Sequence, residues 1–360
     1  IRLGEGSTGQ GGVSDPRRSS RLDPNNPFRL RLSLLTHRAS ARTAAQIAKE
    51  APRMRHAVRL GLSVLLLCAN GISAQGFPIP GKPVRVLVGF AAGGGTDIQA
   101  RIVAPKLADA LGASVIVENK PGASTMIAAH EVAKAAPDGH TILYSFAGSF
   151  AQNPHTLPNV PYDPFRDFTP LSLGARGPQV LVMHPSVPAT DLGAFIAWAK
   201  ANPGKVSYAS FGTGTSSHIF GEMLARQAGV DMVHVPYKGG ADAAKDLLAG
   251  RVQIMFDTAT TGIEHVRSGK LKLLGVVADQ RIPLLPDAPT LSEQGMRGID
   301  IVGWLGFFGP AGMRPDVVQK LNTALAKALA TPEVKKGFAV GLYEAASSTP
   351  VELAAMVKGD

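Results

Sequence analysis

The sequence predicts an α/β protein of two lobes, and three observations carry that prediction. Short apolar runs of strand type alternate with longer helical ones, the pattern of sheets built with crossover helices. The alternation falls into two series, parted by Tyr162-Asp163-Pro164-Phe165-Arg166-Asp167-Phe168. Beyond an N-terminal segment ending near Ala74, about 286 residues remain, close to the size at which single cores stop growing and chains divide.

In the first series, residues 84–90, 114–117 and 141–146 read as strands, and residues 98–111 and 126–135 as helices. The second reads as strand 180–183, helix 192–201, strand 206–210, helix 219–229, strand 232–235, helix 241–249, and strands 252–256 and 271–277. Three helix starts mark the tail. Arg314-Pro315-Asp316 opens a stripe of Val317, Leu321, Leu325 and Leu329 at four-residue spacing, and Thr331-Pro332-Glu333 and Thr349-Pro350-Val351-Glu352 open two more. Pro suits the first helical position, and Glu352 completes a capping box. These helices are expected to pack on the first lobe. Residues 75–174 with 297–360 are therefore expected to form lobe 1, and residues 175–296 lobe 2.

Composition excludes several classes. With 45% hydrophobic and 18% charged residues the chain is globular, and one Cys permits neither a disulfide framework nor a zinc cluster. The net charge of +10 sits mostly at one end, since residues 1–74 hold 12 of the 37 Lys/Arg but 4 of the 27 Asp/Glu. The remainder is nearly neutral and has no basic stripe with interleaved aromatics, so nucleic acid is not an expected partner.

Met54-Arg55-His56-Ala57-Val58-Arg59 precedes about ten apolar residues and then Ile72-Ser73-Ala74. A basic stretch, a short apolar core and a small-residue end read as a signal peptide over residues 54–74. The apolar run is well short of the ~20 residues a membrane span needs. Cys68 follows Leu67, too bulky for a lipoprotein processing site. Residues 1–53 precede a complete export signal, and are expected to be a non-native extension of the reading frame or a disordered basic segment.

The chemistry concentrates in glycine-rich turns between strand and helix. Val88-Gly89-Phe90-Ala91-Ala92-Gly93-Gly94-Gly95-Thr96-Asp97 exposes backbone N–H groups at a helix start, where donors and dipole together favour an anion. A purely structural turn is the alternative. The dinucleotide fingerprint fails, because its third small position is Ile98. Tyr208-Ala209-Ser210-Phe211-Gly212-Thr213-Gly214-Thr215-Ser216-Ser217-His218 forms a second such turn, and Val235-Pro236-Tyr237-Lys238-Gly239-Gly240-Ala241 a third. His218 serves either the local helix start or the ligand. Tyr237 could stack on a ligand, while Lys238 reads as a surface charge. Asp257 ends a strand, where open α/β sheets place ligands, with buried structural bonding as its alternative. Gly148, Ser149 and Asn153 follow another strand end. A hydrolase would use Ser210 or Ser216 with His218, although Tyr208 replaces the first Gly of the nucleophile-elbow pattern.

Taken together, several segments resemble the Bug family, the extracytoplasmic solute receptors of tripartite tricarboxylate transporters. They are Lys82-Pro83-Val84-Arg85 running into Gly93-Gly94-Gly95-Thr96-Asp97, Asn119-Lys120-Pro121-Gly122-Ala123, Pro137-Asp138-Gly139-His140-Thr141, Val235-Pro236-Tyr237-Lys238-Gly239 and Trp304-Leu305-Gly306-Phe307-Phe308-Gly309-Pro310. The resemblance covers roughly residues 78–358. It implies a two-lobed periplasmic-binding-protein (Venus-flytrap) fold with the ligand cleft between lobes. A carboxylated solute would be held there largely by backbone amides and ordered waters. Positions matching the family's binding residues are Phe90, Ala92, Gly93, Gly94 and Asp97, then Gly212, Thr213, Thr215, Ser216 and His218, with Asp257 and, more loosely, Gly148. No cofactor and no metal are implied, the partners being a small carboxylate and membrane permease subunits, and the protein is expected to be a periplasmic monomer without enzymatic activity. An orphan receptor serving a sensor protein would share this binding chemistry. Residues 1–53 have no family counterpart, and the family usually continues its last helix beyond the position of Asp360, so weaker packing of that tail is expected.

Overall fold

Strand β1 (Val84–Val88) is apolar on both faces, with Val84, Leu87 and Val88 fully buried, as a central strand covered by helices on both sides must be. The computed structural model describes residues 76–359; the expected signal peptide and the extension before it lie outside the described residues. After β1 come helix α1 (Gly95–Leu111), β2 (Val115–Asn119), α2 (Met126–Ala133) and β3 (Thr141–Phe146). Two short turns of helix, α3 (Gly148–Ala151) and α4 (Asn153–Thr156), lead to the ten-residue β4 (Phe168–Gly177).

The second series comprises β5 (Gln179–Met183), α5 (Leu192–Ala201), β6 (Val206–Ser210), α6 (Ser216–Ala228), β7 (Met232–Pro236), α7 (Gly240–Leu248), β8 (Ile254–Thr258), α8 (Ala259–Arg267) and β9 (Lys272–Val276). The chain then returns through β10 (Gly303–Pro310), α9 (Pro315–Ala330), α10 (Pro332–Val340), β11 (Glu344–Ala345) and α11 (Pro350–Gly359). Two sheets result, ordered β11-β4-β10-β3-β1-β2 and β7-β6-β8-β5-β9. The parallel arrangement implied by the alternating pattern holds for β1 with β2 and β3, and for β6 with β7 and β8. By contrast, β10 runs antiparallel to β3 and β4, and β5 antiparallel to β8 and β9.

The tail follows its helix-start signals. In α9, Val317, Leu321, Leu325 and Leu329 are buried, and the helix packs on α1 and β4 of the first sheet. At α11 the Thr349 N–H donates to Glu352 Oε2 at 2.8 Å while the Glu352 N–H donates to Thr349 Oγ1 at 3.2 Å, a reciprocal capping box. The sequence pattern did not mark β4 or β10 as strands. In β10 glycines interrupt the apolar run, yet aromatic rings fill the space, with Phe307 stacked on Tyr144 of β3 at 4.4 Å between centroids.

Only Pro178 separates β4 in one sheet from β5 in the other. Beside it the return crossover enters β10, so that Gly303 pairs with Gly177. The two sheets are thus tied by two adjacent strands, a narrow neck between them. Gly177 has no room for a side chain, because a Cβ there would lie 2.4 Å from the Tyr343 ring. Gly177→Ala is expected to displace that ring and cost about 1–3 kcal/mol by overpacking, read as a lowered urea midpoint. An unchanged midpoint would show that the neck yields freely.

Candidate functional site

A cavity of about 550 Å³ lies between the sheets, floored by the neck residues Gly177, Gln179 and Gly303, within the size range of small-molecule sites. Three helices begin on its wall, α1 from the first sheet and α6 and α7 from the second, represented there by Gly94 to Thr96, Ser216 and Gly240. The helices start earlier than the apolar periodicity indicated: α1 at Gly95 and α6 at Ser216, inside the glycine-rich turns. Small residues give no hydrophobic signal, so periodicity detects only the later turns of each helix. None of the three starts has a side chain hydrogen-bonding at its cap. Each first turn carries N–H groups without intrahelical partners and the positive end of a dipole.

Close approach depends on missing side chains. A Cβ at Gly95 would lie 2.3 Å from Thr258 Oγ1, and one at Gly239, whose φ is +150°, 3.0 Å from the Ala91 nitrogen. Across this contact the Ala91 N–H donates to the Lys238 carbonyl at 3.4 Å. Further out, Gln99 Nε2 donates to Thr260 Oγ1 at 3.2 Å, Ser124 Oγ to the Thr213 carbonyl at 2.6 Å, and Arg267 to the Val340 carbonyl at 3.0 Å. Phe90 joins the aromatic floor, 5.5 Å from Phe146 of its own lobe and, across the divide, 6.0 Å from Phe211 between centroids.

Of the residues singled out from sequence, Phe90, Gly94, Gly148 and Ser216 line this cavity. Gly212, Thr213 and Tyr237 border an adjoining hollow of about 290 Å³, also edged by Phe90. His218 and Thr213 line a third, formed by the second lobe and Thr156 of the first. Ala92 and Gly93 are exposed on the turn. Asp97 is turned inward: it accepts from the Gly93 N–H at 2.8 Å, Asn119 Nδ2 at 2.9 Å and Arg101 Nε at 2.9 Å. Burial opposes its ionisation, but these donors outweigh it and hold the carboxyl below its usual range. Thr215 is fully buried and donates to the Gly212 carbonyl at 2.6 Å. Tyr237 donates its hydroxyl to Asp246 at 2.7 Å.

Asp257 stands behind the wall, where a Cβ on Gly240 would meet its Oδ1 at 3.4 Å. It accepts from the Thr258 N–H at 2.7 Å and the Thr261 hydroxyl at 2.8 Å. Burial prevails over those bonds and pushes its carboxyl up to about 7. Tyr343 also lines the cavity; burial, and then the Asp257 charge, hold its hydroxyl protonated well beyond the ordinary range. Sequence reasoning missed Gln152, Gln179 and Tyr343, whose chain positions carry no local motif, and quoted Trp304 only within a family-like segment, not as a site residue.

The hydrolase arrangement does not form. His218 accepts the Gly214 N–H at 3.1 Å, and Ser216 Oγ accepts from Gln179 Nε2 at 2.7 Å. Ser210 instead meets His234 Nε2 at 2.6 Å and accepts the Gly212 N–H at 3.1 Å, while being fully buried. Stacked 4.0 Å from His218, His234 is pushed down to about 4 by burial and then by that neighbour. Glu222 bonds the Tyr208 hydroxyl at 2.5 Å rather than orienting His234. Among the described residues no His, Cys, Asp and Glu group could hold a metal ion, and no helix is long and apolar enough to cross a membrane.

Two lobes joined by two strands, with helix starts from both facing one cavity, define a periplasmic solute-binding protein fold. The model of the tripartite tricarboxylate transporter family receptor matches residues 99–357, and the chain belongs to that family. It is 36% identical over 307 residues to the protein from the tcbD-tcbE intergenic region of Pseudomonas sp. (strain P51), covering 85% of this chain and 91% of that one. The solved periplasmic binding protein BugD matches at a TM-score of 0.75 and 36% identity, over 78% of this chain and 94% of its own. MatC from Rhodopseudomonas palustris, solved with bound malate, matches at 0.73 and 33% identity, over 78% and 97%. The chain is thus a Bug-family receptor.

Asp257 makes stability depend on pH. Its folded form holds a proton to about pH 7, whereas the unfolded carboxyl releases one near 3.9. Its contribution is full below about pH 4 and is lost as pH rises to 7. Asp257→Asn should therefore gain on the parent protein in melting temperature between pH 4 and 7, and a constant difference would contradict this.

Proposed function

We propose that the protein captures a small carboxylate-bearing solute in the periplasm by closing its two lobes, and delivers it unaltered to the membrane permease of a tripartite tricarboxylate-type transporter. The carrying observation is the convergence of three helix starts, without side-chain caps and from both lobes, on one cavity. A carboxylate placed there accepts charge-assisted hydrogen bonds from both lobes at once, so it binds the closed form better than the open one. Micromolar affinity corresponds to about −8 kcal/mol. Hydrogen bonds to a charged group contribute about 1.5–3 kcal/mol each, so several of them with apolar contact reach that value after the costs of ordering.

In this reading the helix starts after Gly94, at Ser216 and at Gly148 present backbone donors, and Phe90 the floor. Asp97 and Thr215 hold the two turns in shape, while Ala92, Gly93, Gly212, Thr213, His218, Tyr237 and Asp257 surround them. MatC, with its bound malate, supports a carboxylate as the shared element. The protein acts as a monomer without chemistry, and closure is what the permease recognises.

Native mass spectrometry of the protein from an exporting host, followed by extraction of any bound small molecule, tests the capture. The expected result is one intact carboxylate per chain. A covalent acyl adduct on Ser210 or Ser216 would overturn it. Gly95→Ala tests closure: the Thr258 clash should lower affinity at least about ten-fold, roughly 1.4 kcal/mol, with the isolated protein's small-angle scattering radius increased. Unchanged affinity and radius would contradict the closure step.

A further inference from the structure

Asp257 is an acid set directly behind the cavity wall. Gly240 and Thr258 both line the cavity. A Cβ on Gly240 would lie 3.4 Å from Asp257 Oδ1, and the Thr258 N–H donates to that same oxygen at 2.7 Å. The other oxygen, Oδ2, accepts from the Thr261 hydroxyl at 2.8 Å, and the residue is buried. Among the described residues these two neutral donors meet the carboxyl and no cation does, so its ionised form has no counter-charge.

The ionisable groups on the elements packed around it are engaged elsewhere. On α7, Asp242 pairs with Lys245 and Asp246 with Arg251; on α8, Glu264 pairs with Arg267; on α1, Asp97 pairs with Arg101. His218, Glu222 and Arg226 of α6 line the hollow that includes Thr156. Burial holds His218 and His265 below the usual histidine range. In the sheet, β5 has no ionisable residue, and Tyr208 of β6 bonds Glu222. Tyr343, reaching in from the tail, is coupled to Asp257 by charge and stays protonated.

Helix α7 begins at Gly240 itself, so an ionised Asp257 places a negative charge behind one of the three starts that would receive a carboxylate. Two like charges a few ångströms apart in a protein interior repel strongly, and the cheaper state is the one in which one of them is protonated. We propose that the solute's carboxylate and one proton enter the cleft together, the proton going to Asp257, so that the receptor holds its solute more tightly in acid than in alkaline surroundings. This rests on the carboxylate capture argued above and adds a proton and its acceptor to it. Linkage makes the effect mutual: the bound anion raises the proton affinity of Asp257 as much as the proton raises affinity for the anion. Burial already carries this carboxyl to about 7 without solute. Both forms of the protein hold the proton well below that pH, where affinity is greatest and level, and affinity falls as pH rises above it.

Isothermal titration of the purified protein tests it, with acetate, malate, adipate, citrate, nicotinate and benzoate screened at about pH 6 and the tightest of them followed to about pH 9. Its affinity should fall at least about ten-fold between pH 7 and 9. Near pH 7.5, titrations in buffers of unlike ionisation enthalpy should show uptake of part of a proton per solute bound, roughly half or more. In Asp257→Asn the proton uptake should vanish and the affinity vary by less than about three-fold over the same range. Affinity and proton balance that ignore pH in the parent protein would overturn the proton step and leave carboxylate capture standing; this comparison needs no variant, so it decides the matter even where Asp257→Asn does not fold. A pH dependence undiminished in Asp257→Asn would overturn the assignment to Asp257. Failure of all six acids to bind would withdraw carboxylate capture and this inference together.

Discussion

Glycine backbone meets the opposite lobe across the cleft, and that contact governs the rest of the structure. Where α1 and α7 begin, Gly95 lies against Thr258 and Gly239 against Ala91, with no space for even one methyl group. Two lobes can come this close only if the residues between them are small and if the neck lets them approach square on. The neck meets the second condition with two neighbouring crossovers, Gly177–Pro178–Gln179 and the entry to β10 at Gly303. The aromatic contact of Phe90 with Phe146 and Phe211 fills what the glycines leave open. Ser124, held at φ +51° in a left-handed turn, adds its bridge to Thr213 at the rim; such a conformation persists only where surrounding contacts enforce it.

The electrostatic design follows from the same economy of side chains. In the proposed capture, an anion between the lobes would be met by partial charges of the peptide chain, which are fixed in direction and need no reorganisation when it arrives. The full charges nearby are occupied elsewhere. Asp97 uses its ionised carboxylate to tie Gly93, Asn119 and Arg101 into the first turn. Asp257, with its carboxyl raised by burial, is held by Thr258 and Thr261. In the second turn Ser210 with His234, and His218 with Gly214, perform the corresponding bracing through neutral groups.

Much of this was legible in the amino-acid sequence, and the reasons for the rest are physical. Proline at a helix start and a Thr-x-x-Glu box are local signals, so the tail helices could be placed from a few residues each. Glycine-rich turns following apolar strands likewise marked the helix starts that line the cavity. Their side-chain directions were not legible: Asp97 and Thr215 turn inward because the turns need internal bonds, a need that only the folded loop reveals. Gln152, Gln179 and Tyr343 come from the turn after β3, the neck and the tail, and meet only through topology. Strand β10 escaped notice because its glycines imitate a loop until the rings of β3 and β4 stand beside it.

The central claim is that peptide N–H groups from both lobes, and not a cationic side chain, hold the solute's carboxylate. A crystal structure of the protein with the small molecule it carries from its exporting host tests this most directly. The account predicts carboxylate oxygens within hydrogen-bonding distance, about 2.7–3.2 Å, of backbone nitrogens, directly or through one water, at the starts of α1 and of α6 or α7. A carboxylate bound by Lys or Arg, or one touching a single lobe, would contradict it.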